Sequence, residues 1–121
     1  MATSQRTADY ILEQSAGAGA VSVRKMFGEY AVYLGAKVVG LICDDQLYVK
    51  PTGGGLAWLQ REGGLDTPAL GHPYPGAKLQ YVVPGDLWDD AAFLAGLLRA
   101  TERELPEPRP KKARASKAPK A

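Results

Sequence analysis

The chain has 121 residues, 45% of them hydrophobic, which is enough for one modest core and too little for two domains of ordinary size. No run approaches the ~18 apolar residues of a membrane span, and Met1 to Thr7 is polar with no apolar leader core behind it, so a soluble cytoplasmic protein without a membrane partner is expected. The net charge of +2 hides a division: residues 106–121 hold six basic residues (Arg109, Lys111, Lys112, Arg114, Lys117, Lys120) against Glu107, leaving nine basic and twelve acidic residues in 1–105, which excludes a body that binds nucleic acid by net charge.

Ser4 is placed to cap a first helix in which Ala8, Ile11, Leu12 and Ser15 recur at helical spacing, until Ala16-Gly17-Ala18-Gly19 withdraws support. From Val21 the pattern alternates. Val21, Val23 and Phe27 share one face with Lys25, while Ser22, Arg24 and Met26 take the other, and Gly28 ends or bends the strand. Tyr30 to Leu34, Val38 to Cys43 and Leu47 to Lys50 are rich in β-branched and aromatic residues and are separated by Gly35-Ala36 and Asp44-Asp45, which predicts an antiparallel meander. A glycine first in a two-residue loop suits a type II′ turn.

Pro51 closes the meander, and Thr52-Gly53-Gly54-Gly55 reads as a flexible connector into a short helix over Leu56 to Glu62. Residues 65–77, with three prolines and two glycines, read as an irregular connection. Leu79, Tyr81 and Val83 then alternate as one face of a last strand, ended by Pro84-Gly85. Asp86 and Asp89 form an acidic capping arrangement before a final helix with the stripe Leu87, Ala91, Leu94, Ala95, Leu98 and Leu105. Beyond Leu105, four prolines among Lys, Arg and Ala cannot offset ordering entropy, so a disordered basic tail over 106–121 is expected. The order of elements describes one α+β domain over 1–105: an antiparallel meander of about four strands plus one later strand, packed by N- and C-terminal helices and one short helix.

Chemistry-bearing residues are sparse. The triple glycine is not followed by Lys-Ser or Lys-Thr in phosphate-loop register, and there is no GxGxxG fingerprint. One His and one Cys cannot supply a zinc site; Cys43 sits in an apolar run as a core thiol, and His72 precedes Pro73 in a loop. Asp44-Asp45 and Asp89-Asp90 have turn and helix-cap explanations. No catalytic residue, cofactor or metal is assigned, and the chain is read as non-enzymatic. The densest mixture of charge, aromatic and glycine is Arg24, Lys25, Met26, Phe27 and Gly28, with Tyr30 beyond Glu29. This is an edge strand with a bend that could serve as an interaction surface, and Tyr30, Tyr33, Tyr48 and Tyr81 are read mainly as packing residues.

Arg24-Lys25-Met26-Phe27-Gly28 with Tyr30, the turn at Leu34-Gly35-Ala36-Lys37, Asp45-Gln46-Leu47-Tyr48-Val49-Lys50 and Leu79-Gln80-Tyr81-Val82-Val83-Pro84 together resemble the TfoX N-terminal domain family over roughly residues 6–103. The resemblance implies an α+β domain with a small antiparallel sheet and, through the full-length TfoX/Sxy competence regulators, a link to transcriptional activation alongside the cyclic-AMP receptor protein. It brings no catalytic residue or cofactor. The chain departs from those regulators in carrying the Pro/Lys/Ala tail where they have a second, helical domain. The expected function is therefore a regulatory or accessory domain acting by protein contact, with transcription machinery as the expected partner. The alternatives are a nucleic-acid-associated protein whose six tail cations contact DNA or RNA phosphates, and a small-molecule enzyme or binder with a pocket between sheet and helices.

Overall fold

The structure is a computed structural model that describes residues 3–26 and 28–106. Phe27 and the expected tail from Glu107 onward lie outside the described residues. Within them, α1 (Gln5–Ser15) leads through a 3-10 turn at Ala16–Ala18 into β1 (Val21–Met26), β2 (Glu29–Leu34), β3 (Lys37–Cys43) and β4 (Gln46–Val49). Then come α2 (Gly53–Arg61), a two-residue β5 (Leu70–Gly71), β6 (Gln80–Val83), a 3-10 turn at Gly85–Leu87 and α3 (Ala91–Glu104). The six strands form one antiparallel sheet in the order β1-β2-β3-β4-β6-β5, and the domain is α+β, as the sequence implies.

Local chemistry explains the elements. Ser4 caps α1 by accepting the Thr7 N–H, and Gly35 at φ +62° opens the β2–β3 turn. The β3–β4 turn places Asp44 and Asp45 at φ 54° and 59°, a left-handed pair that costs non-glycine residues about 1–3 kcal/mol each. Hydrogen bonds hold it: the Asp45 carboxylate accepts the Ser4 N–H at 3.0 Å and the Thr7 hydroxyl at 2.9 Å, and these donors keep its pKa below the ordinary carboxylate value.

The helices lie on one face of the sheet. α3 packs on β2 and β3, α1 on β1 and α3, and α2 on α3. Between them Ile11, Val32, Val39, Ile42, Leu47, Val49, Leu59, Val83, Leu94 and Leu97 are fully buried. A bulge sits where Val32 pairs with Gly40 and Tyr33 with Val38, leaving Val39 as the extra residue. It reverses the alternation along β3, sending Val39 into this core and Val38 to the opposite face.

Three expectations are corrected. The glycines after Thr52 are no flexible connector but the first turn of α2, capped by the Thr52 hydroxyl on the Gly55 N–H at 2.9 Å. Their small size serves packing: a Cβ on Gly54 would lie 2.6 Å from a Glu104 carboxylate oxygen and 3.0 Å from the Ala100 carbonyl, and one on Gly55 2.9 Å from the Thr101 hydroxyl. The 65–77 connection contains β5, whose pairing of Leu70 with Tyr81 comes from β6 and not from any local pattern. The last helix begins later than Asp86 or Asp89 suggest. Asp90 is its N-cap, accepting the Phe93 N–H at 3.0 Å, and Phe93 and Leu97 join the buried stripe, while Ala91 is exposed and Leu87 and Leu105 flank the helix. Leu79 is exposed just before β6.

Candidate interaction surface

Among the described residues no helix covers the second face of the sheet, and that face is largely apolar. Arg24, Ala31, Leu41, Tyr48 and Val82 occupy successive paired positions across five strands, and Ser22, Tyr33 and Val38 form the neighbouring row. Ala31, Leu41 and Cys43 are buried here, with Tyr33, Val38 and Tyr48 half-buried around them. Strand alternation therefore fills both faces with hydrophobic groups, although only one has helices to cover it. The Pro73-Tyr74-Pro75-Gly76 loop lies beside this face and holds Tyr74 52% exposed. Met26, Glu29, Tyr30, Leu41, Cys43 and Tyr74 line a cleft of about 410 Å³. A second hollow shares Glu29 and Tyr74 with it and runs on to Tyr48 and His72.

The candidate residues separate in space. Arg24 and Met26 are exposed on this outer face, and the Arg24 guanidinium stands 5.4 Å from the centre of the Tyr33 ring, a cation–π contact of about 0.5–1 kcal/mol at an exposed site. Lys25 alternates to the other side of β1, is exposed, and makes no hydrogen bond or ion pair among the described residues. Gly28 supplies the bend at φ +81°. Tyr30 belongs to the main core, 3% exposed, with its hydroxyl 3.0 Å from Gln5 Oε1. Phe27 and the basic residues Arg109, Lys111, Lys112, Arg114, Lys117 and Lys120 lie outside the described residues.

β1 is one of the two edge strands of the sheet, with no strand paired on its outer side among the described residues. The Gly35 N–H bonds the Ala20 carbonyl at 2.9 Å, so the alternation of an antiparallel ladder turns the backbone groups of Ser22, Arg24 and Met26 toward β2 and those of Val23 and Lys25 outward. An open backbone edge thus borders the apolar face, with one cation on each side of the strand.

The titratable groups near the cleft are already committed. Glu29 Oε1 accepts from the Thr3 N–H at 3.0 Å, the Thr3 hydroxyl at 2.5 Å and the Asp44 N–H at 3.0 Å, tying the N-terminal segment to the β3–β4 turn. Burial pushes the Cys43 thiol up to about 11, with the Glu29 and Asp44 charges adding to it, so it is a protonated core group at neutral pH. Burial also raises the Tyr48 phenol. His72 Nδ1 is 2.7 Å from the Ala77 carbonyl. No cluster of three or more His, Cys, Asp or Glu able to hold a metal occurs among the described residues, and no helix there is long and apolar enough to cross a membrane. Sequence reading missed Tyr74, Leu41 and Glu29 as parts of this surface; the one local signal was a tyrosine held between two prolines.

The TfoX N-terminal domain profile matches residues 13–105. A 12.7 kDa uncharacterized protein in the trpE 5′ region of Spirochaeta aurantia is 41% identical over 114 residues, covering 94% of this chain and 93% of the relative.

Proposed function

We propose that this chain, which belongs to the TfoX N-terminal domain family, is a non-enzymatic regulatory or accessory domain that binds a protein of the transcription machinery through the outer face and free edge of its sheet. The observation that carries the reading is the helix-free apolar face formed by Tyr33, Leu41, Tyr48, Met26 and Tyr74 beside the open β1 edge. An extended segment added along β1 would satisfy the outward groups of Val23 and Lys25 and lay alternate side chains into the neighbouring cleft. The non-enzymatic reading is supported by the commitment of Glu29 to three donors and by the high pKa of Cys43, which leave the cleft without a ready base or thiolate nucleophile. The tail's six cations support a second reading, in which the domain positions a nonspecific phosphate contact.

Transcript profiling tests the first reading in a deletion strain complemented with the wild-type chain or with Met26→Glu, a change at an exposed position. Wild type is expected to restore a defined set of transcripts and Met26→Glu to fail at normal protein abundance. If deletion leaves transcripts unchanged, the regulatory role is wrong; if Met26→Glu complements fully, the surface is wrong.

A further inference from the structure

On the helical layer, away from the sheet's outer face, α2 and α3 are separated by a cleft of about 470 Å³. Its floor is built of small residues, Gly54 and Ala57 from α2 and Gly96 and Ala100 from α3, with Trp58 on one wall. The Trp58 ring lies directly on Gly96, since a Cβ there would lie 2.0 Å from it. Around this floor stand three guanidinium groups: Arg61 from the last turn of α2, and Arg99 and Arg103 from α3.

This concentration is unusual for the molecule that carries it. Residues 1–105 hold nine cations against twelve acids, yet three of the nine converge on one cleft. Arg99 and Arg103 are four residues apart on one helix, a spacing at which like charges destabilise an isolated helix by a few tenths of a kcal/mol. Little within the fold neutralises them. Arg99 donates to the Gly17 carbonyl at 2.9 Å, a neutral acceptor that steadies the side chain without cancelling its charge. Arg61 meets Glu62 only at 3.6 Å on an exposed surface. The Arg103 side chain makes no hydrogen bond or ion pair among the described residues. Glu104 is the one carboxylate in the lining, and it is engaged by the Gly53 N–H at 3.1 Å at the start of α2.

We propose that this cleft is a binding site for a phosphate-bearing ligand of about nucleotide size, with Arg61 and Arg103 as its principal phosphate contacts and Arg99 as a positioned third. Planar guanidinium groups pair with phosphate oxygens through two parallel N–H donors, and three of them match a group that carries two charges. The volume falls within the range of small-ligand pockets, and the Trp58 wall supplies an apolar surface for the remainder of the ligand.

The test is a titration of the full chain, followed by NMR through the Trp58 indole N–H and the amides of Gly54, Gly96 and Ala100, a readout that phosphate bound elsewhere on the chain would leave still. Inorganic phosphate, ATP and a 5′-phosphorylated oligonucleotide are added separately at fixed ionic strength. Saturable shifts at these four residues are expected, weakened at least about tenfold in Arg61→Gln and in Arg103→Gln, since each removes charge-assisted bonds. Stronger binding by ATP than by phosphate marks a free nucleotide and binding by the oligonucleotide alone a nucleic-acid phosphate, and either carries the proposal; ATP and the oligonucleotide binding no better than phosphate overturns the nucleotide-sized ligand. Both arginines are exposed, so the variants should fold as the wild type does, checked by an unchanged melting temperature. Absence of saturable shifts with all three probes, or shifts indifferent to both substitutions, overturns it.

Discussion

Gly96→Ala probes the contact in which the Trp58 ring of α2 lies on Gly96 of α3. The added methyl carbon would stand 2.0 Å from Trp58 Cζ2 and 2.6 Å from Cε2 and Cη2, so the indole must withdraw by more than about 1 Å to restore ordinary contact at ~3.5–4.0 Å. It is not free to do so, because its N–H donates to the Phe93 carbonyl at 2.9 Å. Overpacking of this kind costs about 1–3 kcal/mol, and losing the indole hydrogen bond costs a further ~0.5–1.5 kcal/mol. Replacing glycine by alanine inside a helix returns about 1 kcal/mol. The net expectation is a loss of roughly 1–3 kcal/mol, which lowers the melting temperature by about 4–8 °C per kcal/mol in a domain of this size. Thermal and urea denaturation followed by circular dichroism measures it. Trp58→Phe removes the ring edge that the methyl meets, so in the Gly96→Ala background it should recover stability relative to the sum of the single changes, with a coupling of about 1 kcal/mol or more. A Gly96→Ala protein more stable than wild type, as helix propensity alone would give, would refute the reasoning; so would strict additivity with Trp58→Phe.

Other expectations follow from buried polar groups. The Thr101 hydroxyl is fully buried with no hydrogen-bond partner among the described residues, so Thr101→Val, which keeps the shape, should raise unfolding free energy by up to about 1 kcal/mol in urea titration. The Cys43 thiol, whose pKa rises from 9.0 to about 11 on folding, keeps its proton in the native state where the unfolded chain would lose it. Its contribution is constant below about pH 9 and declines as pH rises from 9 toward 11, a loss that Cys43→Ala should remove from the pH dependence of the urea midpoint. At pH 8 the native thiol should resist iodoacetamide and react once the chain is unfolded, as mass spectrometry will show.

Much of the fold is legible because its signals are local. Alternation in β1 to β4, the turn chemistry of Gly35-Ala36 and Asp44-Asp45, the Ser4 cap and the Leu94–Leu98 stripe each act over a few residues. The errors arise where tertiary contacts decide. Gly53 to Gly55 are poor helix formers, yet they make the first turn of α2 behind the Thr52 cap, and at Gly54 and Gly55 the side of α3 leaves no room for a Cβ. β5 is two residues long and exists by pairing with β6. The Val32/Tyr33 irregularity, which reverses the alternation along β3 so that Val39 joins the core and Val38 the outer face, has no mark in the residues themselves. The candidate surface was half legible. Arg24 and Met26 were identified with the right face of β1, but Tyr30 from the same motif is a core residue, and Tyr74 reaches the surface from a loop far along the chain. The arginine cleft was not legible, since Arg61 is brought to Arg99 and Arg103 only by the packing of α2 on α3.

The most direct test of the central claim is site-specific photo-crosslinking in the native cell, with a photoreactive amino acid in place of Arg24, Met26 or Tyr74 on the outer face, and of Glu13 or Arg99 on the helical side. Adducts to a common component of the transcription machinery from the three outer-face positions, and none to that component from Glu13 or Arg99, are the predicted result. Equal labelling from both sides, or no protein adduct from the outer face when the protein is at native abundance, would contradict it.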